Sequence, residues 1–240
     1  NDYFCRIIAS CDMKKDIENL SEWIENREMR GYYTFTKEDI EKQFPSLGKD
    51  YMKTYLSRLV TKAKIISPWR NFYVIMPIEY SLKGIIPPVF YMDQLMAYLD
   101  KKYYVALLNA AAFYGASHQR AQTFSVAVEL PYMRSTSKNG TSILFFSKKE
   151  IQTEFIRKHK TQTGYINVSS PELTAIDLIE NEKSVGGLNR VCTVLNELVD
   201  VVNLDSGALL FLVKQNSSQA VRPDRHASGS PFGGAVTEGD

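Results

Sequence analysis

The chain has 240 residues, 44% hydrophobic and 23% charged, the balance of a soluble globular protein with room for two ordinary domains. A formal net charge of +2 gives no global pull toward nucleic acid, so any such binding must come from local segregation of charge. No apolar run approaches the roughly 20 residues of a membrane span, and the opening NDYFCRIIASCDMKK lacks the apolar core of a secretory signal, so a cytoplasmic protein is expected.

A first helix is predicted from about Met13 to Arg30, with Asp12 as N-cap, Ile17, Leu20 and Ile24 as the buried stripe, and Gly31 as the stop. Thr36 opens a second. Its hydroxyl can cap the first-turn amides, Glu38 and Asp39 suit the positive end of the helix dipole, Ile40 and Phe44 face inward, and Pro45 prevents continuation. The turn PSLG leads into a third helix between Ser46 and Lys64. There Met52, Leu56, Leu59 and Val60 recur at helical spacing and leave Lys49, Lys53, Thr54, Ser57 and Arg58 on the opposite, wet face. Between positions 49 and 70 the cations Lys49, Lys53, Arg58, Lys62, Lys64 and Arg70 stand against the single acid Asp50, an excess suited to a polyanion. The segment IIS, the turn PWRN and the run FYVIM read as two strands with Trp69 and Arg70 at the tip.

Two helices, a basic third helix and a hairpin, in that order, form the winged variant of helix-turn-helix, so residues 1–80 are expected to be a DNA-binding domain. Its candidate DNA contacts are Lys49, Lys53, Arg58, Lys62 and Arg70 for phosphates, with Thr54 and Ser57 for base edges. Trp69 can pack on a sugar or fold back onto the domain core, and the sequence leaves both open.

The consecutive prolines of SLKGIIPP mark a stiff linker over residues 81–90. The segment from Tyr91 to Gly115 reads as two helical pieces, with Asp93 as the first cap, Gly115 as the last stop, and Ala106, Ala110, Ala111 and Ala112 allowing another element to pack closely. TFSVAVEL and SILFFS read as strands separated by a mobile polar loop, RSTSKNGT. Lys148 to Lys160 reads as a basic helix whose apolar face is Ile151, Phe155 and Ile156. GYINVSS is a further strand, and SPELTAIDLIE a helix with Ser170 as cap, Pro171 at the first position and Glu172 beside the positive dipole end. GGLNRVCTVLNEL sets Leu188, Val191, Leu195 and Leu198 at helical spacing, and Arg190 within it could pair with Asp177 or Glu172. The expected fold is therefore α+β, a winged helix-turn-helix domain followed by a mixed α/β domain over 91–203; the Gly-, Ser- and Pro-rich residues 204–240 are expected to be a disordered tail.

Cys5, Cys11 and Cys192 are an odd set with no CxxC pair, and His118, His159 and His226 form no HExxH or HxH arrangement, so neither a metal site nor a cofactor is expected. A carboxylate site built from Glu172 and Asp177 beside Lys183, or from Asp177 with Glu180, would make the second domain a nuclease or transferase. No strand-borne carboxylate pair with a following lysine, Gly-rich phosphate loop or Ser-His-Asp set supports it, and no catalytic residue is assigned. A winged helix that binds only protein is a third reading, opposed by the basic charge on the third helix.

Three runs, YYVALLNAAAFYGASHQ (Tyr103 to Gln119), TGYINVSSPELTAIDLIE (Thr163 to Glu180) and GGLNRVCTVLNEL (Gly186 to Leu198), resemble the C-terminal domain of the AbiEi family, the antitoxins and transcriptional regulators of type IV toxin–antitoxin, or abortive-infection, systems. With the winged helix ahead of them, the resemblance covers the chain from about Asp12 to Leu198. It implies two jobs: repression of the protein's own operon by binding inverted repeats in its promoter, as a dimer on DNA, and neutralisation of a nucleotidyltransferase-like AbiEii toxin without a stable complex. Past Leu198 the sequence departs from the family, which continues with further helical segments; the antitoxin domain is either naturally short here or altered at its end.

Overall fold

A computed structural model of the chain describes residues 19–116, 121–138 and 140–200, a mixed α and β structure with two sheets. The expectations for Asp12 and Ile17, for Cys5 and Cys11, for His118 and His226, and for the tail over 204–240 lie outside the described residues.

The first unit begins with α1, residues 19–29, whose Leu20 and Ile24 are buried as their spacing predicts. Gly31, at φ +79°, turns the chain out of it through a left-handed conformation that side chains resist. A short strand follows, β1 (Thr34–Thr36), for which the sequence shows no pattern. Thr36 ends it and caps α2 (Lys37–Gln43): the Thr36 hydroxyl accepts from the Asp39 amide at 3.1 Å, while the Asp39 carboxylate accepts from the Thr36 amide at 2.8 Å. This reciprocal box satisfies two amides that the helix cannot. Replacing Thr36 with alanine is expected to lower stability by about 1 kcal/mol, read as a fall in the urea midpoint with an unchanged slope.

Next comes α3 (Lys49–Thr61), with Met52, Leu56 and Leu59 buried against α1 and α2 residues such as Leu20 and Ile40. Val60, expected in the same stripe, is exposed. At 3.6 residues per turn it lies roughly 80° round the helix from Met52, at the margin of the contact face. The chain returns through β2 (Ile65–Trp69) and β3 (Phe72–Ile75), and the three strands pair antiparallel in the order β1-β3-β2. Asn71, at φ +60°, makes the tight turn after Arg70. The β2–β3 register shifts between Ile66 and Trp69. Pro68 lies there on an edge strand, and without an N–H it cannot join the ladder.

Of residues 81–90, expected as a linker, the first half follows α4 (Ile78–Ser81) with Leu82 and Ile85 exposed, while the second half packs: Ile86, Pro88 and Phe90 are buried, and residues 88–90 form a 3₁₀ turn. The second unit is built on a mixed sheet of order β6-β7-β5-β4-β9-β8 among the described residues. Its central strand is β4 (Tyr103–Val105), inserted between α5 (Met92–Tyr98) and α6 (Leu107–Phe113) where only two helical pieces were expected. Asp93 does not cap α5; it accepts a 2.7 Å hydrogen bond from the Tyr103 hydroxyl. β5 (Thr123–Glu129) and β7 (Thr141–Lys148) fall where strands were expected and pair in parallel. The polar segment between them, expected to be mobile, contributes β6 (Thr136–Lys138), a hairpin partner of β7.

The expected basic helix over Lys148 to Lys160 is also corrected. Lys148 ends β7, a 3₁₀ turn covers Thr153–Phe155, and β8 (Ile156–Thr161) pairs with β9 (Gly164–Ser169). Lysine-rich composition suits a helix in isolation, but a whole ladder of cross-strand bonds outweighs that preference. Finally α7 (Pro171–Glu180) starts under the expected Ser170 cap, whose hydroxyl accepts from the Leu173 amide, and α8 (Leu188–Leu198) buries Val191, Val194 and Leu198 while Leu188 is exposed.

Alternation along the strands gives this sheet two apolar faces. One face, with Val126, Val128 and Phe145, packs on Phe72, Val74 and Met76 of the hairpin region and on α5; the other, with Tyr104, Ala127 and Phe146, packs on α6, α7 and α8. The hairpin is therefore held between α3 and the large sheet, and one core runs through both units.

Candidate functional site

Lys49, Lys53, Thr54, Ser57, Arg58 and Lys62 are all exposed on α3 or at its C-terminal cap. Helical geometry puts Lys53 and Ser57 one turn apart, as it does Thr54 and Arg58. None of the four cations is paired with a carboxylate among the described residues, and Asp50 is the only acid in the helix. The face is thus, among the described residues, a run of unpaired positive charge on a helix whose other side is locked into the core by Met52, Leu56 and Leu59. The Thr54 hydroxyl donates to the Asp50 carbonyl at 2.9 Å, which leaves its lone pairs and methyl group to face outward.

Arg70 is exposed but sits on a different element, the β2–β3 turn. Trp69 beside it belongs to β2 rather than the tip, and its ring meets Phe145 edge to face with centroids 6.3 Å apart. Of the two roles the sequence left open for Trp69, folding back is the observed one, and the surface it covers belongs to the large sheet.

The carboxylates considered for catalysis are not gathered at an open surface. Asp177 is completely buried, with Lys148 Nζ 2.9 Å from its Oδ1 and the Tyr104 hydroxyl donating to its Oδ2 at 3.0 Å. Lys148 Nζ also reaches Glu180 Oε2 at 3.3 Å. Burial by itself would depress the lysine pKa, but the two carboxylates outweigh it and hold the ammonium protonated, above the ordinary value. Burial and the neighbouring Asp177 push the Tyr104 phenol far up, so it stays a donor. With its charges opposed in this way, the set is a structural clamp between β4, β7 and α7. The sequence hinted at it only through polar residues, Lys148 and Asp177, inside otherwise apolar runs. Asp177 therefore pairs with Lys148 rather than with Arg190. Lys183 lies exposed in the turn before α8.

His159 packs against the rings of Phe113 and Tyr114, and burial and Arg157 lower its pKa. Cys192 is exposed. Among the described residues no His, Cys, Asp and Glu group is placed to hold a metal ion, and no helix is long and apolar enough to cross a membrane.

Residues 104–222 match the family model described as the AbiEi antitoxin C-terminal domain, a match that continues past Leu198. Among solved structures, the RV2827C protein from Mycobacterium tuberculosis aligns with a TM-score of 0.58 and 14% identity, over 81% of this chain and 70% of that one. That likeness is one of fold. An antigenic nucleotidyltransferase-like protein from Paracoccidioides brasiliensis aligns with a TM-score of 0.36 and 10% identity, over 54% of this chain and 87% of that one. No curated protein matches the chain.

Proposed function

Since the chain belongs to the AbiEi antitoxin family through residues 104–222, we propose that it is the antitoxin of a type IV toxin–antitoxin system and also the DNA-binding repressor of its own operon. The observation that carries the DNA-binding half is the exposed cationic face of α3, which has no carboxylate partner among the described residues. The order α2, turn, α3, hairpin is the order of a winged helix-turn-helix, which supports reading α3 as the recognition helix, with residues 1–80 as the DNA-binding unit and the sheet that follows as the antitoxin unit. Lys49, Lys53, Arg58 and Lys62 then hold phosphates, Thr54 and Ser57 face base edges, and Arg70 reaches the backbone from the hairpin turn.

The ligand is double-stranded promoter DNA with inverted repeats, bound in the cytoplasm by two copies of the chain whose half-sites lie about one helical turn, or a multiple, apart. The antitoxin unit acts without catalysis, counteracting a nucleotidyltransferase-like toxin without a stable complex. The occupied clamp around Asp177 agrees with a non-catalytic role.

A gel-shift titration tests this reading: the purified chain on its own upstream DNA against a scrambled duplex, at low and near-physiological salt. Binding that favours the promoter and weakens steeply with salt is expected. Equal, weak binding to both duplexes would refute sequence-specific repression.

A further inference from the structure

On the helical side of the large sheet, away from the proposed DNA-binding face, the chain has a cavity of about 620 Å³. It lies between β5, the start of α6 and the turn leading into α8. Among the described residues its charged lining is cationic, Lys183 and Arg190, with no acidic side chain. Among the described residues neither cation has a carboxylate partner. Arg190 is partly buried at this cavity, which holds its guanidinium where a ligand would meet it.

A second, independent observation comes from the sheet. Ser125 is only 7% exposed and lines the same cavity. Its amide and carbonyl are engaged, by Asn109 and by Ala106, so of its polar groups the hydroxyl is the one available to a ligand. A serine hydroxyl, a guanidinium and an ammonium at one cavity are the donors that an anion needs. The backbone helps to shape it. Gly186 stands at φ +103°, and a Cβ there would lie 3.1 Å from the Arg190 side chain, which rests across the glycine. The helix α8 begins at this edge with no side-chain cap, so its positive dipole end adds to the same field.

We propose that this cavity binds the phosphate group of a nucleotide-sized ligand, with Arg190 and Lys183 holding the anion and the Ser125 hydroxyl orienting it. The size is that of a small-molecule site rather than of a single anion. Leu108, Leu144 and Val185 supply an apolar wall for the non-phosphate part. Guanidinium is the side chain best matched to a phosphate's paired oxygens. The site does not depend on the reading of α3.

Isothermal titration of the full chain with each of the four nucleoside triphosphates, with inorganic phosphate and with the four nucleosides tests it. Saturable binding of at least one triphosphate is expected, with the nucleosides at least about tenfold weaker. Arg190→Gln should weaken binding by about tenfold or more, Ser125→Ala by less, and Lys53→Ala with Arg58→Ala not at all. Inorganic phosphate binding as well as the triphosphates, and equally sensitive to Arg190→Gln, would support the anion site and identify free phosphate as its source. Thermal unfolding of each variant checks the fold, and exposed Lys183→Ala stands in if Arg190→Gln is unstable. Failure of every triphosphate and of phosphate to bind at millimolar concentration would overturn the proposal. So would binding indifferent to Arg190, Lys183 and Ser125, or nucleosides binding as tightly as triphosphates.

Discussion

Replacing Lys148 with methionine is expected to cost about 3–5 kcal/mol, a large part of the stability of a domain this size. The physical reason is asymmetry. The side chains of Lys148 and Asp177 are 5% and 0% exposed, so removing the ammonium leaves a carboxylate that water cannot reach. Replacing the whole set, Lys148→Met with Asp177→Leu and Tyr104→Phe, should recover most of the loss, because no buried polar group is then left alone. Urea unfolding of the three proteins reads this directly; a single variant as stable as the parent would mean that the clamp contributes nothing.

The clamp also fixes a pH dependence. Lys148 has its folded-state pKa above the ordinary 10.5, and Tyr104 has its own well above 10.0. At alkaline pH the folded chain thus holds protons that the unfolded chain releases. The stabilisation is complete below the unfolded values and is lost as pH rises through about 10 and beyond. Tyr104→Phe has no phenol to ionise, so its stability, lower at neutral pH for want of the donor to Asp177, should fall less steeply above about pH 10 than that of the parent, as urea midpoints across that range would show.

The second large effect concerns DNA. Lys53→Ala with Arg58→Ala removes two exposed cations from α3 without touching its buried stripe of Met52, Leu56 and Leu59. Affinity for promoter DNA should fall by at least about tenfold at near-physiological salt, and the slope of log K against log salt should become shallower by about 2, roughly one for each phosphate that is no longer neutralised. Thermal stability should not change, since neither side chain has a charged partner among the described residues. An unchanged slope would remove α3 from the interface. Thr54→Ala and Ser57→Ala should act differently, narrowing the preference for promoter over scrambled duplex while leaving the slope as it was.

How much of this is written in the sequence depends on the element. Helices with local signals read well: Thr36 and Ser170 cap where the pattern puts them, and Gly31 ends α1. Strands β5, β7 and β9 are long enough to show their own apolar pattern. What fails is structure that exists only through a partner. β1 and β4 have three residues each, too few for a period to show, and they are strands because β3, β5 and β9 lie beside them. β8, with the sequence IRKHKT, looks like a solvated helix until β9 fixes its register.

The two candidate sites divide in the same way. The α3 face is legible because all but one of its residues sit on one helix or its cap, at fixed spacing. The contact of Trp69 with Phe145 joins residues far apart in sequence, so no local pattern foretells it. The cavity draws Ser125 from a strand and Lys183 and Arg190 from a turn and a helix, so it too becomes visible only in three dimensions.

In the proposed function one chain carries two separable jobs, repression through α3 and toxin neutralisation through residues 104–222. One strain can report both, with a reporter driven by the chain's own promoter and an inducible copy of the toxin encoded beside it. Growth and reporter output are followed for the parent chain and for Lys53→Ala with Arg58→Ala. The parent should silence the reporter and restore growth, and the double variant should release the reporter yet still restore growth. A parent chain that does not restore growth, or a double variant that still silences the reporter, would contradict this division of labour.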